Sequence, residues 1–273
     1  MKNIFYFFIF CLAGCQSVFF YPSSAIVWTP ENAGFRYEVH SVPVDETNYF
    51  TLWQIKPEGE QKGTILYLHG NAENNSTHTQ SVMWLVNEGY QIFALDYRGF
   101  GESSGAANVV NAAVDIQKSV EYVNSKIDKE EKLILFAQSI GASVSIFALA
   151  NHPLKNRFSL FIFESGFTSY QGIAKEKLSE IGLFYPLNSI FSLLATDCCD
   201  PLLHVHKFPA GKVIFAHNKF DPVVHFHNSE DFYEACQKPN LFWQSESEGH
   251  GTFFAGKGHR ERLLQKLDSV VNR

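Results

Sequence analysis

Short, predominantly apolar runs recur along the chain at residues 63–68, 91–95, 132–136, 158–163 and 212–217, with a more mixed one at 241–245. Runs that short, with little polar alternation, fit strands buried on both faces of a sheet. Between them the pattern changes. Residues 77–88 predict a helix closed by Gly89, residues 108–124 an amphipathic helix, 142–150 an apolar one and 259–271 a final one. Residues 35–44 alternate in part, and 49–56 are aromatic and β-branched, so together they predict an antiparallel pair at the sheet edge. Pro57-Glu58-Gly59-Glu60 reads as a turn, and residues 17–32, interrupted by Pro22 and Pro30, as an extended lead-in. Strands alternating with helices predict an α/β fold with a mostly parallel central sheet and helices on both faces.

The run at 132–136 leads into Ala137-Gln138-Ser139-Ile140-Gly141, directly before the apolar helix. A strand that turns abruptly into a helix lifts the residue at the turn above the sheet edge. The residues two before and two after it must then be small. Ala137 and Gly141 meet that need, and the pentapeptide follows the nucleophile-elbow pattern G-x-S-x-G with Ala in place of the first Gly. An acyl-transfer serine also needs two backbone N–H donors aimed at the developing oxyanion. One belongs to the residue after the nucleophile, Ile140. The other comes from the loop after an earlier strand, here His69-Gly70-Asn71, where Gly70 permits close approach and Asn71 N–H is the expected donor. Asn74 or Ser76 is placed to cap the helix that follows.

The strand at 91–95 runs into Asp96-Tyr97-Arg98-Gly99-Phe100-Gly101-Glu102-Ser103-Ser104-Gly105. Its glycines require an unusual backbone path, and the absence of G-K-[ST] excludes a phosphate loop. Taken with His69-Gly70-Asn71-Ala72 and the elbow, in that order and each after a predicted strand, the chain resembles an α/β-hydrolase-fold serine hydrolase. It is most similar to the cap-poor group with HGNA and DYRGFG motifs, which includes abhydrolase-domain depalmitoylases, serine-aminopeptidase-like hydrolases and lysophospholipase-like proteins. The likeness runs from about residue 35 to the C-terminus, giving one hydrolase domain over 35–273.

The resemblance implies a triad in the order Ser, acid, His. His217-Asn218-Lys219-Phe220-Asp221-Pro222-Val223-Val224-His225 matches the acid loop H-G-x-x-D-x-V-V-P, with Asn218 for Gly and His225 for Pro, and makes Asp221 the acid. Asp197 and Asp200 compete, because some relatives place the acid after the preceding strand; Asp200-Pro201 reads better as a turn or cap. His250, between Gly249 and Gly251, matches the catalytic histidine. Of the 11 histidines, His204, His206, His225, His227 and His259 are expected at surface, capping or packing positions, with His225 also a candidate for lining the cleft. Residues 165–210 form the expected short lid, and its apolar stretch 181–194 is placed either to line an acyl pocket or to pack on the sheet edge. The nucleophile at 139 is Ser, not Asp, which argues against a haloalkane dehalogenase. The reaction implied is hydrolysis of an ester, thioester or amide through an acyl-enzyme. The alternatives are a peptidase of the same fold and a non-catalytic lipoprotein that binds an apolar ligand.

Composition modifies this picture at three points. A net charge of −6 with no strongly basic stretch gives no suggestion of a nucleic-acid partner. No C-x-x-C or His/Cys spacing points to zinc, and no metal or organic cofactor is implied. The N-terminus has Lys2, an apolar stretch at 4–12 too short for a comfortable membrane span, and then Leu12-Ala13-Gly14-Cys15. This resembles a bacterial lipobox. It implies a signal peptide at 1–14, a mature chain beginning at diacylglyceryl-modified Cys15, and a lipidated lead-in at 15–34. Gln16 after the cysteine implies the outer membrane. Cys198, Cys199 and Cys236 remain, either as thiols or with one of the adjacent pair bridged to Cys236.

Overall fold

The apolar runs assemble into one eight-stranded sheet. The computed structural model describes residues 19–180 and 199–271. The strands are β1 (Tyr37–Pro43), β2 (Tyr49–Ile55), β3 (Gly63–Leu68), β4 (Tyr90–Asp96), β5 (Leu133–Gln138), β6 (Phe158–Glu164), β7 (Val213–Phe220) and β8 (Leu241–Glu248). Their spatial order is β8-β7-β6-β5-β3-β4-β2-β1. β2 runs antiparallel to β1 and β4, and the other neighbours are parallel. The antiparallel edge pair is where the sequence placed it.

β3 and β5 lie at the centre, and every residue of both is buried. Their side chains alternate between two cores, as the pleat requires. Leu66, Leu68, Leu133, Leu135 and Ala137 enter one core, and Ile65, Tyr67, Ile134 and Phe136 the other. The first core is closed by α1 (Val109–Lys126) and α2 (Ile140–Leu149). α1 buries Val109, Ala112, Ala113, Ile116, Val120 and Val123, the one-face spacing expected of an amphipathic helix. The Asn108 side chain caps α1, accepting the Asn111 N–H at 2.8 Å. α3 (Tyr170–Glu180) and α4 (His227–Ala235) follow β6 and β7, and α5 (Lys257–Val271) presents Leu263 and Leu267 to the second core.

Two expectations change. Residues 77–88 do not form one helix. They are divided among a helical turn at Asn75–His78, a 3-10 turn at Thr79–Ser81 and a second helical turn at Trp84–Asn87. Hydroxyls that bond back to preceding carbonyls loosen the ladder here: Thr79 Oγ1 donates to Asn75 O at 2.6 Å and Ser81 Oγ to His78 O at 2.8 Å. Of the two proposed caps, Asn74 is the one used, its Oδ1 accepting the Ser76 N–H at 2.8 Å. The extended lead-in also gains a regular contact despite Pro22. Tyr21–Pro22 pairs in parallel with Ala72–Glu73, laying the segment beside the loop after β3.

Between β6 and β7 lie α3 and 3-10 turns at Pro201–Leu203 and Val205–Lys207. The apolar stretch 181–194, Asp197 and Cys198 fall outside the described residues, as do Cys15 and the rest of the N-terminal signal. Cys236 is a buried free thiol, so it is not bridged. Asn240 Nδ2 donates to its sulfur at 3.1 Å, and burial raises its pKa.

Candidate active site

Ser139 stands between β5 and α2 with φ 53° and ψ −121°. A positive φ in a non-glycine residue stores on the order of 1–3 kcal/mol and persists only where the surroundings enforce it. Here Ser139 N–H donates to Glu164 O at 2.8 Å, and Ser139 O accepts the Ser143 N–H at 3.1 Å as α2 begins. The small residue two positions later is obligatory. A Cβ on Gly141 would lie 2.6 Å from His69 O, 2.7 Å from Leu68 O and 2.8 Å from the Tyr97 hydroxyl. The elbow and the end of β3 therefore touch, backbone to backbone.

His250 reaches Ser139 from the loop after β8. Its Nε2 lies 2.7 Å from Ser139 Oγ and its Nδ1 lies 2.8 Å from Asp221 Oδ2. An ionised carboxylate only accepts, so Nδ1 carries the proton and Nε2 is left to accept from the serine hydroxyl. Asp221 Oδ1 accepts the Val223 and Val224 N–H groups at 2.8 and 3.0 Å. Buried His217 adds a contact from beneath: its Nε2 is 3.1 Å from Asp221 Oδ2 and 3.0 Å from Val224 O, while Nδ1 meets Ser229 Oγ at 2.6 Å. Burial pushes the Asp221 pKa upward. Hydrogen bonds from His217, His250 and the Val223 N–H outweigh it and hold the carboxyl well below its ordinary range.

A second polar chain fixes the histidine loop. Tyr67 hydroxyl donates to Gln138 Oε1. Gln138 Nε2 donates to Glu164 Oε2 at 2.7 Å and, more weakly, to Gly251 O at 3.2 Å. Glu164 Oε1 accepts the Phe253 N–H at 2.7 Å, and Asn218 Nδ2 donates to Gly249 O at 3.0 Å. Glu164 is wholly buried, and that burial raises its pKa despite these donors.

The loop after β3 is braced from behind. His69 is buried, its Nδ1 donating to Gly70 O at 2.7 Å and its ring packed against His78, Tyr97 and Phe100. Tyr97 hydroxyl donates to His69 O at 3.1 Å, and Asp96 Oδ1 accepts the Asn75 N–H at 2.8 Å. Gly101, at φ 54°, passes so close that a Cβ there would lie 2.2 Å from Asp96 Oδ2. Arg98 Nε donates to buried Asp115 at 2.7 Å, anchoring this loop to α1. Together, the segments from His69 and from Asp96 form one support under Gly70 and Asn71. His78, part of the same stack, has its pKa lowered to about 4, by burial first and then by His69.

Ser139 and His250 lie at the floor of a cavity of about 830 Å³, which Gly70, Asn71 and Ile140 also line. Its walls include Phe167, Ile173, Leu178, Val223 and Val224, together with Phe19 and Tyr21 of the lead-in. Ile140 is the first residue of α2, where a helix N–H has no intrahelical acceptor.

Residues 59–181 match the family model described as serine aminopeptidase, S33. Uncharacterized protein YfhR of Escherichia coli strain K12 is 28% identical over 268 residues, covering 93% of this chain and 87% of that one. The Pyrococcus furiosus esterase Pf2001 superposes with a TM-score of 0.72 at 19% identity, over 92% of this chain and 97% of that one. The Pyrococcus horikoshii acylaminoacyl peptidase superposes at 0.64 and 18% identity, over 88% of this chain but 41% of that one. The chain has the α/β-hydrolase fold.

On this α/β-hydrolase sheet, Ser139, Asp221 and His250 follow β5, β7 and β8, and the fold brings them into one line of hydrogen bonds. Asp200 is elsewhere: its Oδ1 accepts the Tyr170 N–H at 2.8 Å at the start of α3, which is a capping position. His225 does not line the cleft as the sequence allowed. Val223 and Val224 do so, and His225 is half exposed beside Glu176 of α3. The sequence reading named His217 and Gln138 only as motif positions, without their contacts, and passed over Glu164. Gln138 and Glu164 carried a faint signal, a polar side chain closing an otherwise apolar strand, and His217 ends the apolar part of β7.

Proposed function

We propose that the chain is a membrane-anchored serine hydrolase of acyl esters or thioesters. The observation that carries this reading is the hydrogen-bonded line from Ser139 through His250 to Asp221 at the floor of an apolar cavity. Ser139 Oγ attacks the acyl carbonyl while His250 Nε2 takes its proton, and Asp221 stabilises the imidazolium. The N–H groups of Asn71 and Ile140 stabilise the oxyanion. Collapse of the tetrahedral intermediate expels the alcohol or thiol, protonated by His250. Water, deprotonated by the same imidazole, then releases the acid from the acyl-enzyme. The protein supplies all of these groups itself.

The cavity lining favours acyl over aminopeptide substrates. An aminopeptidase must neutralise the substrate's α-ammonium group, yet among the described residues no carboxylate lines the cavity, and Lys177 does. The peptidase reading has its own support in the description of the matching family model and in the likeness to an acylaminoacyl peptidase. Turnover of p-nitrophenyl esters of rising chain length, set against aminoacyl and peptide amides, separates the two. Each buried methylene should strengthen binding by up to about 0.8 kcal/mol until the cavity is full. Faster cleavage of amides, or no dependence on chain length, would overturn the acyl reading. Labelling of Ser139 by a fluorophosphonate, lost in Ser139→Ala, separates an enzyme from a non-catalytic binder.

The anchor rests on Leu12-Ala13-Gly14-Cys15. Cys15→Ser should abolish incorporation of labelled fatty acid. Equal incorporation by wild type and variant would remove both the anchor and the outer-membrane location from the proposal.

A further inference from the structure

Glu176 of α3, His225 of the loop after β7 and His227 at the start of α4 converge on one spot outside the catalytic line. One ligand atom from each lies within 4.8 Å of the other two. Glu176 Oε2 is 3.4 Å from His225 Nδ1, and Glu176 Oε1 is 3.5 Å from His227 Nε2. These approaches are not hydrogen bonds: buried Oε2 has no donor among the described residues. His227 Nε2 faces Asn228 Nδ2 at 3.5 Å and accepts from it, so a cation would displace this long contact to take the nitrogen's lone pair.

We propose that these three residues form a mononuclear site for a divalent d-block cation of the zinc class, with water completing its coordination. Imidazole nitrogen and carboxylate oxygen are ligands such an ion takes, at about 2.0–2.2 Å in tetrahedral geometry, which sets ligand atoms about 3.3 Å apart. Each imidazole already has that spacing from one carboxylate oxygen, His225 Nδ1 from Oε2 and His227 Nε2 from Oε1, and ligation by a single oxygen needs a turn of the carboxylate. The third edge, between the two imidazoles, closes by rotation of side chains that are both half exposed. The outer surroundings fit as well. A metal-bound imidazole characteristically donates its other N–H to a carboxylate, and the carboxylate near His225 Nε2 is Glu180, whose Oε1 lies 3.7 Å away and accepts from Lys177 Nζ, so a small shift is needed to make that bond.

The position gives the ion a consequence. Glu176 shares α3 with Ile173, Ala174, Lys177 and Leu178 of the cavity wall. His225 directly follows Val223 and Val224, which also line the cavity and hold Asp221. A bound ion ties the cavity helix to the loop of the catalytic acid. The site does not depend on the substrate assigned above.

The test uses the metal-stripped full chain, titrated with zinc against a chromophoric chelator, and cobalt(II) absorption as a report of geometry. Wild type should bind one equivalent, show tetrahedral cobalt bands, and melt at a higher temperature with zinc than without. Glu176→Gln, His225→Ala and His227→Ala should each weaken that equivalent by at least about tenfold and remove the zinc-dependent rise in melting temperature. These side chains are exposed or rim-placed, and circular dichroism checks that each variant is folded. No saturable equivalent in the wild type, or affinity unchanged in the three folded variants, would overturn the site.

Discussion

Replacing Asp221 by Asn should nearly abolish turnover while leaving the protein folded, and the reason lies in how the carboxylate is clamped. Oδ1 accepts two backbone N–H groups, from Val223 and Val224. In Asp221→Asn the amide oxygen must keep that place. Reversing the amide would set its NH₂ against two donors, at about 1–3 kcal/mol for each one left unsatisfied. The NH₂ therefore occupies the Oδ2 position, facing His250 Nδ1 and His217 Nε2, both donors in the wild type. His250 must become the Nε2–H tautomer, which donates to Ser139 and cannot take its proton. The known effect of a wrong tautomer in a serine triad is a loss of about 10⁴ in kcat, equivalent to roughly 5.5 kcal/mol at 1.36 kcal/mol per decade. His217 can adjust by donating from Nδ1 to Ser229 Oγ, so stability should fall by only about 1 kcal/mol, the scale of one hydrogen bond. The assays are ester turnover, the rate of fluorophosphonate labelling and a urea melt. Retention of more than about a tenth of kcat would refute the clamp argument, which predicts a loss on the scale of a wrong-tautomer triad. The same loss in Asp200→Asn with none in Asp221→Asn would move the acid.

Two further outcomes follow from the contacts around the elbow. Gly141→Ala drives a Cβ into the Leu68 and His69 carbonyls, which cannot yield, so it should cost about 1–3 kcal/mol in a denaturant melt and lower kcat by displacing Gly70 and Asn71; wild-type values for both would show that the elbow has slack. His78 binds its proton more weakly when folded, at about 4, than the 6.5 of an unperturbed imidazole. The stability this contributes is complete above pH 6.5 and is lost as pH falls toward 4. The full 2.5-unit shift corresponds to roughly 3 kcal/mol, reduced to about 2 kcal/mol because the ring is partly exposed. His78→Gln should have a shallower acid dependence than wild type between pH 7 and 5, and parallel curves would refute the assignment. The difference between the curves isolates His78, because Asp115, raised to about 6 chiefly by burial, titrates with the opposite sign in both proteins.

The central strands were legible because burial on both faces leaves no room for polar residues, so residues 63–68 and 132–136 declared themselves locally. Ser139, Asp221 and His250 were legible for a related reason: each sits where a strand ends, flanked by the small or turn-forming residues that such a place demands. What escaped was held by distant partners. Gln138 is fixed by Tyr67, 71 positions away, and by Gly251, 113 positions away. Nothing near Gln138 in sequence announces either contact. Residues 77–88 carried a helical pattern, but hydroxyls at Thr79 and Ser81 competed for the carbonyls that a continuous helix would use. Pro22 argued against regular structure in the lead-in, yet a two-residue parallel bridge needs few backbone donors and tolerates it.

That bridge bears on how the enzyme would meet its substrate. Phe19 and Tyr21 form part of the cavity wall, and Cys15 lies only four residues before Phe19. Four extended residues span at most about 14 Å, less than half the roughly 30 Å hydrocarbon thickness of a bilayer. With Cys15 acylated as proposed, the leash is too short for the catalytic domain to tumble freely above the lipid. The part of the cavity wall formed by Phe19 and Tyr21 would then stay near the headgroups, and search for substrate would become two-dimensional. On the proposed acyl reading, a chain would then pass from leaflet to protein with little exposure to water, and the enzyme would be confined to molecules in the leaflet that carries it.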